Sequence, residues 1–189
     1  MPVRVLTPQR FADQRGWFTE TYNEARFQKL GIGTIFCQDN LSFSAEVRTL
    51  RGIHFQRPPH GQAKLVRCVR GRIFDVAVDL RDSSPTFGQS VSAVLTAAGG
   101  EQMFIPVGFG HGYLTLDQDC EVAYKVDAYY APDAEGGIAW DDPELAIDWP
   151  LDHRVPVLST KDAALPMLKD CDFSFPYDGR PLSPLSEGV

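Results

Sequence analysis

Glycine and proline cut the middle of the chain into short β-prone runs, and few stretches between them are long enough for a helix. A chain patterned this way buries its apolar residues as a sandwich or barrel of strands. In Arg72-Ile73-Phe74-Asp75-Val76-Ala77-Val78-Asp79-Leu80-Arg81, alternation places Phe74, Val76, Val78 and Leu80 on one face. Ile73, Asp75, Ala77, Asp79 and Arg81 share the other face, which is mostly polar, so the pattern predicts a half-buried strand. Further strands are predicted at Lys64 to Val69, Val91 to Thr96, Gln102 to Ile105, Gly112 to Leu116 and Cys120 to Tyr130. Their spacing is that of a meander or jelly roll. One short peripheral helix is predicted at Asn23 to Leu30, with Asn23 as its cap, Glu24 and Lys29 matched to the helix dipole, and Gly31 as its stop. From Pro150 onward six of the fourteen prolines fall and periodicity fades, which predicts a wrapping tail carrying at most one short helix.

With 189 residues the chain suits one domain, 1–189, with a core over about 10–150 and a C-terminal tail over 151–189. A hydrophobic content of 43% fills such a core without a metal or disulfide staple. Cys37, Cys68, Cys120 and Cys171 form no C-x-x-C pair and read as small buried thiols of a reducing compartment. A net charge of −7 disfavours sequence-independent nucleic-acid binding, which depends on neutralising phosphates, but leaves room for an anionic small ligand at a local basic pocket. No apolar run approaches the ~20 residues of a membrane span. The start, Met1-Pro2-Val3-Arg4, lacks the apolar core of a signal peptide, so a soluble cytoplasmic protein is expected, with neither nucleic acid nor membrane among its partners.

The segment Gly100 to His111 carries Gly100, Pro106, Gly108 and His111 in the spacing G-x5-P-x-G-x2-H, and resembles the second cupin motif. Thr115 stands where that pattern has asparagine. The first cupin motif, which supplies two histidines and a glutamate in metal-binding members, is half present, its counterparts being His54, Gln56, Lys64 and Gly71. A protonated lysine has no lone pair and repels a cation, so the residues predict a pocket with no metal. The same charge suits a ligand that becomes negative during reaction, because a fixed cation in a partly dry cavity favours that state over the neutral one.

A closer resemblance spans about Phe11 to Asp162. Phe11 through Glu20, Gln38-Asp39-Asn40, Leu50 through Gln56, Lys64 through Gly71, Phe74 through Arg81, Ser84 through Gly88 and Tyr124 through Trp149 occur in the order and spacing of the dTDP-4-dehydrorhamnose 3,5-epimerase family. The resemblance implies an all-β, cupin-type jelly-roll β-barrel with a few short peripheral helices. It implies an isomerase that needs no cofactor and inverts C3 and C5 of dTDP-4-dehydro-6-deoxy-D-glucose, both carbons lying beside the C4 ketone. It also assigns residues. His54 matches the base, Asp162 the acid that orients it, Tyr124 the proton donor on the opposite face, and Lys64 a group that stabilises the enolate. Arg15, Glu20, Gln38, Asn40, Arg51, Lys64, His111, Glu135 and Lys161 match substrate contacts. Arg15 and Glu20 belong to an N-terminal segment that in related proteins reaches a neighbouring subunit, which implies a homodimer. Alternation along the strand puts Val122, Tyr124 and Val126 on one face.

Plainer readings compete with these. His60 and His153 are read as structural or surface histidines, Tyr124, Tyr129 and Tyr130 compete as core aromatics with satisfied hydroxyls, Tyr130 being the one suited to stack on base or sugar, and Gly71, Gly88, Gly108 and Gly136-Gly137 are read as turns. No dinucleotide fingerprint or G-x-S-x-G elbow is present. The competing functions are an epimerase acting at C3 or C5 alone, a ketoisomerase of a dTDP-deoxysugar pathway, a non-catalytic sugar-binding cupin and a metal-dependent cupin oxygenase.

Overall fold

The structure, a computed structural model, describes residues 1–185 and the backbone of 187 and 188. Its strands are β1 (Arg4–Leu6), β2 (Arg10–Asp13), β3 (Gly16–Thr19), β4 (Gln38–Ser44), β5 (Leu50–Gln56), β6 (Lys64–Arg70), β7 (Arg72–Asp79), β8 (Arg81–Asp82), β9 (Ser90–Thr96), β10 (Gln102–Ile105), β11 (Phe109–Thr115), β12 (Cys120–Val126), β13 (Glu135–Gly137), β14 (Phe175–Pro176) and β15 (Glu187–Gly188). Helix α1 (Glu24–Lys29) is capped by Asn23, whose side chain accepts from the Arg26 amide, and is followed by Gly31 at φ +77°. The strands form a six-stranded sheet, β15-β1-β10-β6-β12-β4, and a five-stranded sheet, β13-β5-β11-β7-β9. Among the described residues the two are not joined edge to edge by hydrogen bonds, so the jelly roll is an open sandwich rather than a closed barrel. Among the described residues no helix is long and apolar enough to cross a membrane.

Between the sheets, Val66, Cys68, Ile73, Ala77, Leu95, Met103 and Val122 fill one part of the interior with apolar side chains. The rest of that interior is polar and open. A second core lies on the other face of the five-stranded sheet, where Leu50, Ile53, Val76, Val78 and Leu114 meet Leu145, Trp149, Leu168 and Phe175. This corrects the half-buried reading of β7. Its face of Phe74, Val76, Val78 and Leu80 lies under the tail, while Asp75, Ala77 and Asp79 are fully buried on the other. Buried Arg81 helps hold the tail down by donating to Asp79 and Asp178.

Other expectations also shift. The strand from Cys120 stops at Val126 rather than Tyr130, and the strand predicted from Gly112 already starts at Phe109, directly after the turn at Gly108. Gly136 and Gly137 lie in β13, not in a turn. The tail carries two single 3-10 turns, Asp162–Ala164 and Leu168–Asp170. Cys37 is exposed and Cys171 half-buried, so only Cys68 and Cys120 are the buried fillers expected of all four. Core side chains also come from outside 10–150, among them Val3, Leu6 and Phe175.

Candidate active site

In a regular strand, residues three apart point to opposite faces. Arg51 and His54 nevertheless line the same cavity. The cause is Gly52, which has φ +127° and sits where the pairing of β5 with β11 shifts register. A Cβ there would stand 2.5 Å from the Gly112 Cα and 2.8 Å from the His111 carbonyl oxygen, so the close approach of the two strands admits only glycine. The irregularity turns Arg51 to the side of His54 and Gln56, while Ile53 and Phe55 stay in the core beneath the tail.

The cavity, about 270 Å³, is lined from both sheets. The five-stranded sheet contributes Arg51, His54, Gln56, His111, Tyr113 and Glu135, and the facing sheet contributes Ser42, Lys64 and Tyr124. The Val122, Tyr124 and Val126 face of β12 is the inner one: Val122 and Val126 are buried in it, and Tyr124 opens into the cavity. A more open groove of about 450 Å³ runs over the outer face of the six-stranded sheet, past Leu41, Arg67, Gln102 and Lys125. It contains no histidine and no acid–base pair of the kind found inside.

His54 Nε2 lies 2.5 Å from Asp162 Oδ1, joining β5 to a residue 108 positions later in the tail. Burial pushes the Asp162 carboxyl up, but the His54 hydrogen bond and charge, the Ser159 hydroxyl and Arg51 together outweigh it and leave the group below its ordinary value. Ser159 Oγ donates to Asp162 Oδ2 at 2.9 Å and accepts from the Asp162 amide at 3.0 Å. With the carboxylate ionised, Nε2 donates and Nδ1 is the nitrogen able to take a proton.

Lys64 is buried at the start of β6, its ammonium 3.4 Å from the His54 carbonyl oxygen. Burial lowers its pKa to about 8, against the pull of Asp75 and Glu135, so the amine stays mostly charged at neutral pH. His111 Nε2 lies 2.8 Å from Asp75 Oδ1. Burial drives His111 below its ordinary value despite that acid, and it stays neutral. Burial raises both phenols, Tyr124 and Tyr113, with Arg51 pulling each back. A buried cation and an imidazole kept neutral by burial thus line one cavity with a second, more exposed imidazole and a phenol. Such a set can stabilise an enolate and move a proton on either side of it.

A family model described as dTDP-4-dehydrorhamnose 3,5-epimerase matches residues 2–170. The chain belongs to this family. A relative of that name from Salmonella typhimurium is 49% identical over 88% of this chain and 90% of its own length. Among solved structures, the dTDP-4-dehydrorhamnose 3,5-epimerase of Bacillus anthracis, with TDP and PPi bound, is 48% identical with a TM-score of 0.85, covering 88% of this chain and 94% of that one. A dTDP-6-deoxy-D-glucose-3,5-epimerase from Legionella pneumophila in complex with dTDP-4-keto-L-rhamnose is 44% identical, also with a TM-score of 0.85, covering 90% and 89%.

In this member of the dTDP-4-dehydrorhamnose 3,5-epimerase family, His54, Lys64, Arg51, His111, Tyr124 and Glu135 converge on the cavity, and Asp162 reaches it through His54. Gln38 and Asn40, hydrogen-bonded to each other at 2.8 Å, lie on the inner face of β4 in line with Ser42. Lys161 pairs with Glu135 at the rim. Arg15 and Glu20 do not join these residues within the chain. Arg15 sits on the exposed turn of the β2–β3 hairpin, paired with Asp13 at 2.6 Å, and Glu20 pairs with Arg26 at 3.0 Å. The hairpin is instead held against the loop after β9, where Arg10 donates to the Ala97 and Ala98 carbonyl oxygens.

Sequence reasoning missed Asp75, Ser159, Tyr113 and Ser42. Ser42 and Tyr113 share a 2.8 Å hydrogen bond across the two sheets. Asp75 had a signal, since alternation places it on one face with Ile73 and Ala77, and that face is the inner one. Among the described residues no three histidine, cysteine, aspartate or glutamate side chains are grouped to hold a metal ion. Where the cupin pattern has its glutamate stands the ammonium of Lys64, a group that cannot ligate one.

Proposed function

We propose that this chain inverts C3 and C5 of dTDP-4-dehydro-6-deoxy-D-glucose to give dTDP-4-dehydro-L-rhamnose, a step toward dTDP-L-rhamnose. His54, oriented by Asp162, removes the proton beside the C4 ketone. The charge that moves to the ketone oxygen is met by the Lys64 ammonium. Tyr124 returns a proton from the other face, which is what turns exchange into inversion. The observation that carries this reading is that His54 and Tyr124 come from facing sheets and open into one cavity. Arg51, with its fixed guanidinium, suits the diphosphate, while Gln38, Asn40, His111, Glu135 and Lys161 contact the nucleotide sugar. The test is proton NMR of the product formed by purified protein from dTDP-4-dehydro-6-deoxy-D-glucose. Inversion at both carbons is expected. Inversion at one carbon, or movement of the ketone, would replace the reading with a narrower epimerase or a ketoisomerase.

The working form is a homodimer in which Arg15 and Glu20 serve the neighbouring subunit's cavity. Support comes from the uncovered Phe11, Trp17 and Phe18 of the hairpin and from Leu41 and Phe43 on the outer face of β4, apolar surface of the kind a partner covers. Sedimentation at micromolar concentration should give twice the chain mass, and a monomer would remove this part of the account. A reducing, cytoplasmic setting fits the four cysteines, all free.

A further inference from the structure

Gln56 ends β5 on the cavity side, at the position where the cupin pattern places its second histidine. It is 4% exposed, and both ends of its amide are engaged. Its Nε2 donates to the His60 carbonyl at 2.8 Å and to the Tyr129 carbonyl at 3.2 Å, and its Oε1 accepts from the Ala131 amide at 2.7 Å. One side chain therefore grips the backbone on either side of Tyr130. The ring of Tyr130 lines the cavity, is half exposed, and its hydroxyl donates to Glu135 at 2.9 Å. Other bonds stitch the same two loops together. Gln62 Nε2 donates to the Ala128 carbonyl at 2.6 Å, the Ala63 amide to Asp127 Oδ1 at 2.7 Å, and the Arg57 amide to the Ala134 carbonyl at 2.8 Å. Gln56 differs from these in holding the loop at its aromatic tip.

We propose that Gln56 is a positioning residue for substrate binding, which fixes Tyr130 and the Glu135 carboxylate it touches as a preformed wall of the cavity mouth. The inference rests on the nucleotide-sugar reading, since a flat, half-exposed ring at the mouth suits the nucleotide end of the ligand while the charged floor takes the keto sugar. A wall held before the ligand arrives spares the cost of ordering it at binding. Gln56 is not in this account a proton carrier.

The probes are dTDP, titrated by calorimetry, and hydrogen exchange of the Ala131 amide, read by NMR without ligand. In wild type the amide should be protected. In Gln56→Ala protection should fall, and dTDP affinity and KM should both worsen about tenfold, the size of one or two lost hydrogen bonds. Turnover at saturation should stay within about twofold, and in a Tyr130→Ala background the Gln56→Ala change should cost no more than about twofold in affinity. Gln56→Glu keeps the acceptor but cannot donate to two carbonyls, so it provides the same comparison if Gln56→Ala melts too early to assay. Full additivity with Tyr130→Ala, retained protection of Ala131, or loss of turnover with unchanged KM would each overturn the proposal. Failure of wild type to bind dTDP would instead strike the nucleotide-sugar reading on which it stands.

Discussion

The molecule holds two histidine–aspartate pairs of similar geometry in different surroundings. In His54–Asp162 the imidazole side chain is 31% exposed and its acid arrives from the distant tail, while in His111–Asp75 the two are 8% and 0% exposed and come from adjacent strands. Asp75 Oδ2 has no hydrogen-bond partner among the described residues, whereas both oxygens of Asp162 are engaged. A histidine beside a carboxylate is therefore not by itself a base. In the proposed reaction the more exposed imidazole, His54, is the one assigned to carry protons, while burial lowers the His111 pKa and favours its neutral form.

If that contrast is right, His54→Ala should cost the most, up to about 10⁴-fold in turnover, with the fold intact by thermal melting. Lys64→Met should come next, lowering turnover roughly 10²–10³-fold through loss of enolate stabilisation. The same substitution should make the protein more stable. The folded pKa of Lys64, about 8, lies below its ordinary 10.5, so unfolding takes up a proton between those pH values and the cost of the buried charge is fully present below about 8. Urea titration at pH 7 should show Lys64→Met stabilised by up to roughly 3 kcal/mol. A destabilised Lys64→Met would mean that the ammonium is paired well enough to support the fold. In wild type, turnover should fall as pH rises through about 8, as the amine loses its charge.

His111→Asn should have the smallest effect on activity, about tenfold at most, the scale of a hydrogen bond. A loss as large as that of His54→Ala would erase the distinction between the pairs. In stability the buried histidine should show itself in mild acid. Its folded value lies below 6.5, so the unfolded chain binds the proton first and stability falls as pH drops below about 6.5. His111→Asn should flatten that slope. The Asp162 contribution has the opposite origin, a lowered carboxylate, and should be lost only as pH falls below about 3.8.

The same contrast explains what could be read from the chain alone. His54, Gln56 and Lys64 stand at the spacing of the first cupin motif and His111 at that of the second, so the two motifs together brought them to notice, although Lys64 lies in the sheet facing the other three. Asp162 has no local pattern linking it to His54, and only family resemblance supplied it. Asp75 stood in plain alternation, but a polar face was read as facing solvent when it faces the interior. The second core was hidden for a similar reason. Leu168 and Phe175 lie in a tail without periodicity and Trp149 just before it, and what makes them core is the outer face of a sheet that no local signal describes. Nothing local in the sequence singles out Gly52, although it is what brings Arg51 and His54 to one side.

Deuterium uptake from D₂O into the substrate, followed at C3 and C5, tests the division of labour between the two sheets most directly. The account predicts label at both carbons with wild type, none with His54→Ala, and with Tyr124→Phe continued exchange accompanied by little inversion. Equal loss of exchange and inversion in Tyr124→Phe, or exchange that survives His54→Ala, would contradict it.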